Sequence, residues 1–370
     1  MSAPLFFQRF REAVARLPIG LVRTGAAADA RAISAAEATL GAPLPRPFVS
    51  FLESFDGVDL FHEGVVVGGV GSAAPRRLAD MNAAPSARGE LVFAESTSGD
   101  RFAFRADGAV LRLPGDAEGE RWLAGTDFPR WLDARIAHDR VLYAADGEFS
   151  PDVFDDDGSE VVPIVALRQT ERALRADPGS ADFHHERGVA LRRLDRVDEA
   201  EEAFAQAAAL DTANPWPWFD LGRTALGRGV PGARSALDAF VKAAGLDSGA
   251  SAARLWIWAA RAAIVAGLPE RLEACRREAL ALAPGLAGDL QRAQAAAVEE
   301  DDPEAAADAE AMLTALTGPT PTARARLTVL APTPPAAPPP RPSRPEPRSK
   351  GKRSPAPPAR RASAKKKPKR

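Results

Sequence analysis

The sequence has very little cysteine and no long apolar run. Cys275 is the only cysteine among 370 residues, so the chain can form no intramolecular disulfide framework and no Cys-rich zinc site. We expect Cys275 to be a small, buried apolar residue. No stretch of about 18 apolar residues occurs, and charges interrupt the opening MSAPLFFQRFREAVARL. We therefore expect neither a membrane span nor a secretory signal, and a cytoplasmic location.

Sequence patterns typical of a catalytic or metal centre are also missing. Gly68-Gly69-Val70-Gly71 is rich in glycine, but no Lys-Ser/Thr follows it, so it does not predict a phosphate loop. The adjacent His184 and His185 would point about 100° apart on a helix and could not chelate one ion well. His62 and His138 are isolated in the sequence. We expect no metal, no cofactor and no enzymatic activity.

Lysine is nearly absent except at the end of the chain. Six of the seven lysines lie beyond residue 340, and the other is Lys242. Residues 341–370 contain 13 Lys and Arg against one acidic residue, whereas the rest of the chain contains 35 basic and 49 acidic residues. Apolar residues make up 45% of the chain, which is enough for packed cores outside this basic end. The basic end is therefore a separate part of the protein.

The segment 318–370 is predicted to be a disordered tail rich in Pro, Lys and Arg. It has 15 prolines in the 52 residues after Gly318, which favours an extended spacer before the basic end. The cations nearest the terminus are Arg360, Arg361, Lys365, Lys366, Lys367, Lys369 and Arg370. They should attract DNA, RNA, anionic lipid or an acidic protein without sequence specificity, because the basic end has no aromatic residues to stack on bases. A solubilising tail with no defined partner is the alternative.

The first 145 residues carry helix signals, then strand signals, then a closing helix. Helical spacing of apolar residues occurs in 5–17, 30–40 and 48–55. Strand patterns follow at 65–70, 91–95, 101–105 and 109–113, and Gly-Asp and Asp-Gly turns separate the last three. Asp127 is expected to cap a helix that runs to about Leu142. This order predicts an α+β domain with antiparallel strands.

A series of motifs in residues 28–143 resembles the SUKH superfamily. The series consists of Glu37, Gly41-x-x-Leu44-Pro45, Phe48-x-x-Phe51-Leu52, Asp56-Gly57, Glu95-Ser96, Gly99-Asp100-x-Phe102 and Phe128-x-x-Trp131-Leu132. One departure is Asp56, which stands where an Asn is more usual. The resemblance implies a protein-binding SUKH-like domain over 1–145 without catalytic residues. Many bacterial members resemble immunity proteins that neutralise toxins, and fungal relatives are linked to regulation of cell-wall synthesis.

The acidic stretch 146–161 is predicted to be a solvated linker. Its carboxylates do not have the alternating spacing and distal Glu of a calcium-binding loop. It would separate the SUKH-like domain from a helical region that starts at about Val162.

Residues 181–214 show the pattern of a two-helix repeat. The stretch is 34 residues long, with small residues at Gly188, Ala200 and Ala207 and an aromatic at Phe204. This pattern resembles a tetratricopeptide (TPR) repeat, in which small residues let two helices pack closely. One hairpin cannot bury its apolar face alone, so 162–317 is predicted to be an all-α TPR-like array that ends in a capping helix pair.

The repeat that begins at about Ala253 departs from the pattern. It has Ala260 and Arg276 where a glycine and an aromatic residue are expected. Its assignment therefore depends on the repeats that precede it.

Four of the six tryptophans lie in this predicted array. Trp218 and Trp256 occupy the aromatic position of the repeat and are expected in the core. Trp216 and Trp258 are out of that register, so they are predicted either to contact a partner or to pack between repeats. No pattern of charges typical of a site for peptide termini is evident.

Three functions remain open at this point. The first is a protein-binding SUKH-like protein with a TPR scaffold. Its sharper version is an immunity factor whose partner is a toxin domain. The second is an adaptor that the basic tail brings to nucleic acid or an anionic surface. The third is a regulatory scaffold without a toxin partner.

Overall fold

A computed structural model describes residues 3–319, apart from 16, 19, 84–88, 116–119, 156–157 and 159. All described residues belong to one compact unit, Met1–Leu330. From residue 320 onward the predicted disordered tail lies outside the described residues, and so do its cations from Arg360 to Arg370.

The first half of the chain forms an antiparallel sheet with helices packed against it. The strands are β1 (Val22–Thr24), β2 (Val58–Leu60), β3 (Val65–Val67), β4 (Leu91–Ser96), β5 (Arg101–Phe104), β6 (Val110–Leu113) and β7 (Trp122–Gly125). The helices are α1 (Ala3–Val14), α2 (Ala30–Leu40), α3 (Arg46–Leu52), α4 (Leu78–Met81) and α5 (Phe128–Asp139). The seven strands found in the described part of the chain pair in chain order, so the sheet is a meander. The predicted α+β arrangement with consecutive antiparallel strands is confirmed.

Aromatic residues from the helices and from strand β4 fill the core of this half. Phe48, Phe51, Phe93 and Phe128 are fully buried and contact one another, and Trp131 lies against Phe93 with ring centroids 5.0 Å apart. Burial of each such side chain contributes roughly 1.5–3 kcal/mol. Asp127 accepts a hydrogen bond from Arg130 N and caps α5, as predicted. The aromatic motif positions are therefore core positions.

Two carboxylates of the motif series hold loops in place. Glu37 Oε1 accepts a hydrogen bond from Leu44 N at 2.9 Å and closes the loop after α2. Asp56 is buried and accepts from Val70 N at 2.6 Å and from Gly71 N at 2.8 Å. Both oxygens of Asp56 are used by N–H donors, which suits a carboxylate better than an Asn side chain.

Within the described residues nine helices follow the sheet, and the last eight of them form hairpins. The nine helices are α6 (Pro163–Ala176), α7 (Ala181–Arg193), α8 (Val197–Leu210), α9 (Trp216–Gly227), α10 (Ala233–Leu246), α11 (Gly249–Ala266), α12 (Pro269–Leu282), α13 (Leu286–Glu299) and α14 (Pro303–Thr317). The pairs α7–α8, α9–α10, α11–α12 and α13–α14 each form a close hairpin. The helical array that the 34-residue pattern predicts is confirmed as a TPR-like arrangement.

A glycine of the first helix packs against a phenylalanine of the second in two of these hairpins. A Cβ atom added at Gly188 would lie 2.6 Å from the Phe204 ring, and one added at Gly222 would lie 2.7 Å from the Phe240 ring. Both rings are fully buried. The small residue in the first helix thus makes room for the aromatic ring of the second helix. The sequence indicated only that the two helices approach closely.

The third hairpin replaces this pair by Ala260 and Arg276. The Arg276 guanidinium is buried and donates from Nε to Ala315 O at 2.8 Å and from Nη2 to Gly318 O at 2.7 Å. These carbonyls lie at the end of α14, where helical backbone acceptors have no partner within the helix. Arg276 therefore fastens the last helix to the array.

The array also packs directly on the sheet, along its edge strand β7. Thr126 N donates to Asp177 at 2.8 Å, and Leu123 N donates to Asp211 at 3.0 Å. Asp177 and Asp211 are 34 residues apart and occupy equivalent positions of successive repeats, whereas their two donors are three residues apart.

The same spacing recurs with the carbonyls of this edge. Ser180 Oγ donates to Ala124 O at 2.9 Å, and Asn214 Nδ2 donates to Arg121 O at 3.1 Å. Ser180 and Asn214 are again 34 residues apart. Three residues of a strand span about 10 Å, which matches the 8–10 Å separation of packed helices. Successive repeats can therefore bond successive positions of the strand.

Candidate functional site

An apolar groove of the array lies between α9, α11 and α14. It encloses about 580 Å³, within the range of ligand-binding clefts. Trp216, Phe219 and Arg223 line it from α9, Arg254 and Trp258 from α11, and Asp308 and Met312 from α14. We call this surface the aromatic–arginine groove.

The helical period places these side chains on the groove. Trp216, Phe219 and Arg223 are separated by three and four residues, and so are on one face of α9. Arg254 and Trp258 are four residues apart on α11. Both helices are the first of their hairpins, so they present equivalent faces of successive repeats.

The three aromatic rings form a continuous chain of contacts. Trp216 and Phe219 meet edge to face with ring centroids 5.7 Å apart, and Phe219 and Trp258 do so at 5.5 Å. The Arg261 guanidinium lies 4.0 Å from the Trp258 centroid, and the Arg223 guanidinium 5.7 Å from that of Phe219. Such contacts order the rings and the cations together.

The charges of the groove are not balanced. Asp308 pairs with Arg261 at 3.2 Å. Burial lowers the pKa of Arg261, while Asp308 acts in the opposite direction. Arg223 and Arg254 are exposed, and neither pairs with a carboxylate in the part of the chain that the structure describes. The groove therefore presents two cations beside apolar rings.

The structure brings Trp216 and Trp258, predicted either to contact a partner or to pack between repeats, into this groove. Trp216 and Trp258 line it from neighbouring helices. Trp218 and Trp256 instead pack against the cluster of Ala243, Ala244 and Leu255. Sequence reasoning missed the arginines, although Arg223 lies one heptad after Trp216 and Arg254 one turn before Trp258. That spacing was the available signal.

The glycine-rich loop at Gly68–Gly71 already holds an anion of the protein itself. The carboxylate of Asp56 accepts the N–H groups of Val70 and Gly71. A Cβ atom at Gly69 would lie 2.5 Å from Asp56 Oδ1, so this glycine allows the close approach. The loop therefore uses two successive backbone N–H groups to bind an internal aspartate.

The histidines have protein partners. His185 Nε2 lies 2.8 Å from Asp220 Oδ2, and His184 Nε2 lies 3.1 Å from Pro178 O. Among the described residues no group of three or more His, Cys, Asp or Glu side chains could hold a metal ion. Burial raises the pKa of the Cys275 thiol to about 11, so it is a poor nucleophile.

A buried ionic cluster at the contact between α5 and α7 contains the most perturbed histidine. His138 Nδ1 lies 2.7 Å from Asp139 Oδ1, and its Nε2 lies 3.5 Å from Glu186 Oε2. Burial of the imidazole lowers its pKa, but the hydrogen bonds to Asp139 and Glu186 outweigh this and raise the pKa to about 8. The cluster joins α5 to α7, because His138 of α5 lies between Asp139 of the same helix and Glu186 of α7.

The tail cations from Arg360 to Arg370 lie outside the described residues. Within the described helices, none is long and apolar enough to cross a membrane.

Comparison with solved structures finds TPR proteins. A crystal structure of MamA protein has 18% identity and a TM-score of 0.30, over 41% of this chain and 81% of that chain. MamA 41-end from Desulfovibrio magneticus RS-1 has 21% identity and a TM-score of 0.29, over 42% and 85%. YrrB, described as a TPR protein with an unusual peptide-binding site, has 18% identity and a TM-score of 0.30, over 42% and 78%.

These likenesses are too distant to support an argument about function. The TPR-like character rests on the hairpins and on the Gly–Phe packing of this chain. No family model matches the chain, and no curated protein matches it.

Proposed function

We propose that the protein is a non-enzymatic, protein-binding scaffold that holds a segment of a partner in the aromatic–arginine groove. The observation that carries this proposal is the set of three contacting rings, Trp216, Phe219 and Trp258, on the first helices of two successive hairpins. Half-buried aromatic side chains beside arginines are typical of residues that dominate binding energy in protein interfaces.

The test compares groove variants of the full chain. Trp216→Ala should weaken binding of a partner by about 2 kcal/mol or more, the range of an interface hot spot, which is roughly 30-fold in Kd. Phe149→Ala is the matched control, since Phe149 is also aromatic, is 53% exposed and lies outside the groove.

The measurement has two stages. Proteins retained by the wild type and by Phe149→Ala but lost by Trp216→Ala would be identified by mass spectrometry. Each would then be purified, and its Kd measured by calorimetry. If every captured protein binds Trp216→Ala as well as the wild type, the proposal is wrong.

For the sheet-bearing half we propose a second protein-binding role, of the kind the SUKH resemblance implies. Support comes from the loop-closing roles of Glu37 and Asp56 and from the buried aromatic positions of the motif series. Toxin neutralisation is the sharper version, and regulation without a toxin is the alternative. Co-expression of the full chain with the product of a neighbouring reading frame tests it. An immunity factor should restore growth, whereas unchanged toxicity contradicts this version.

For the tail we propose non-specific attraction to polyanions, as in a nucleic-acid- or surface-associated adaptor. It is supported by the 13 basic residues and one acidic residue in 341–370. Deletion of 341–370 should abolish binding to bulk DNA at low salt, and binding by the full chain should fall steeply with salt. Equal binding by the truncated protein would contradict the proposal.

A further inference from the structure

We infer that the ligand of the aromatic–arginine groove is an acidic peptide segment that carries at least one apolar side chain. The inference rests on the proposed protein-binding function and adds the chemistry of the ligand to it. It follows from the charge of the groove, from its apolar lining and from the guanidinium groups that lie over two of its rings.

Charge complementarity selects an acidic ligand. Asp308, the acidic residue of the lining, is neutralised by Arg261 at 3.2 Å. Arg223 and Arg254 have no carboxylate partner within the described residues, and both are exposed. The groove thus has two uncompensated guanidinium groups, whose planar donors match the two oxygens of a carboxylate.

The apolar lining selects a ligand with more than charge. Trp216 and Trp258 are half-buried, and Leu255 and Met312 are buried beneath them. An aromatic or aliphatic side chain of the ligand would remove the exposed surface of both tryptophan rings from water. This burial would stabilise the complex by about 25 cal/mol per Å² of apolar surface. Met312 is unbranched and can adapt to side chains of different shape.

The rings are poorly arranged for single-stranded nucleic acid. Base stacking needs an open ring face. The Arg261 guanidinium covers Trp258 at 4.0 Å, and the Arg223 guanidinium lies over Phe219 and Trp258 at 5.7 and 5.8 Å. Two of the three rings therefore already have a cation on one face, and Phe219 also contacts the edges of its neighbours.

The basic tail of the chain is excluded as the occupant by its sign. Residues 341–370 carry 13 cations and one anion, and would meet Arg223 and Arg254 as like charges. Like charges brought together in a partly desolvated groove cost free energy. An acidic segment of a partner has no such cost.

The experiment pans a randomised nine-residue peptide library on the immobilised full chain. The same library is panned on the double variant Arg223→Gln/Arg254→Gln, on Trp216→Ala and on the control Arg234→Gln. Arg234 is exposed on α10 and is not part of the groove lining. Every protein keeps its tail, so peptides captured by the tail are recovered equally from all of them and drop out of the comparison. A melting curve of each variant confirms that it is folded.

The expected peptides are acidic and carry an apolar side chain. Their synthetic versions should bind the Arg223→Gln/Arg254→Gln variant at least about tenfold more weakly at low salt, as loss of charge pairs requires. They should bind Arg234→Gln as tightly as the wild type. The difference should shrink as salt rises to about 0.5 M, because the cations are exposed.

The other outcomes overturn the inference in distinguishable ways. Neutral or basic peptides whose binding depends on Trp216 would refute the acidic ligand but leave the protein-binding groove in place. Oligouridylate that binds with the same dependence on Trp216 would replace the peptide by nucleic acid. If no peptide and no oligonucleotide depends on Trp216, both the inference and the proposed function of the groove fail.

Discussion

A methyl group added at Gly188 should destabilise the helical array. The new Cβ atom would lie 2.6 Å from two atoms of the Phe204 ring, whereas carbon atoms in contact prefer about 3.5–4.0 Å. The ring is fully buried, so it can move only by displacing other core atoms. Overpacking of this kind costs about 1–3 kcal/mol, and the better helix propensity of Ala returns about 0.5–1 kcal/mol. We expect Gly188→Ala to lose up to about 2.5 kcal/mol of unfolding free energy.

Urea denaturation of the full chain, followed by far-UV circular dichroism, measures this loss. Gly245→Ala is the matched control, because Gly245 lies in the last turn of α10 with nothing within 4 Å of the added atom. It should leave the stability unchanged or raise it by up to about 0.5 kcal/mol.

A second substitution tests the cause of the loss. Gly188→Ala should be partly rescued by Phe204→Leu, which gives the two substitutions a favourable coupling energy in a double-mutant cycle. Equal stability of Gly188→Ala and Gly245→Ala would refute the explanation from ring packing.

Three further predictions follow from contacts elsewhere in the molecule. The pKa of His138 is raised to about 8, so the protonated imidazole should contribute about 2 kcal/mol of stability, fully present below pH 6.5 and lost as the pH rises through 8. The midpoint of urea denaturation should therefore fall over this pH range in the wild type but not in His138→Gln. A wild-type midpoint that does not change with pH would contradict this prediction. Asp56→Asn should lower the melting temperature and cost about 1–3 kcal/mol of stability, because the NH2 group of the amide would then face a backbone N–H. An unchanged melting temperature would show that the loop does not need the carboxylate. Arg276→Met should speed hydrogen exchange in α14 by about tenfold or more with little change in α7, and equal acceleration of both would argue against a local role.

The helices of the array were predictable because their packing leaves a pattern in the sequence. The helix expected over 162–177 is observed as Pro163–Ala176, and the expected final pair is observed as Leu286–Glu299 and Pro303–Thr317. Close-packed hairpins need small and aromatic residues at a fixed period, which a sequence displays directly.

Three strands were not predicted, for a physical reason. β1, β2 and β7 have only three or four residues. All four residues of β7 are buried, because the array covers this strand. A strand buried on both faces loses the alternation by which strands are recognised.

The candidate site was only half predictable. Trp216 and Trp258 stand out because they lie outside the register of the repeat, and they do line one groove. Their partner-binding role stays a prediction. The pairing of Asp308 with Arg261 depends on α14 folding back against α11. It leaves Arg223 and Arg254 without a carboxylate partner among the residues that the structure describes. A contact between residues 47 positions apart in sequence leaves no local pattern.

The direct contact between sheet and array was also not apparent from the sequence. The boundaries 1–145, 146–161 and 162–317 stay a prediction, but the acidic stretch does more than span a gap. Val153 is buried, and Phe154 pairs with Val161 in an isolated bridge. Glu160 pairs with Arg193 of α7 at 2.7 Å.

The matched spacing between β7 and the first repeats has a consequence for how this protein can change during evolution. Addition or loss of a hairpin before Asn214 would move Asp177 and Asp211 away from their donors in and next to β7. The backbone groups exposed in this way could pair with another chain. A hairpin added beyond Asn214 would leave those bonds intact and would lengthen the array. We therefore expect related proteins to vary in repeat number on the far side of Asn214, and to keep the near side constant in length.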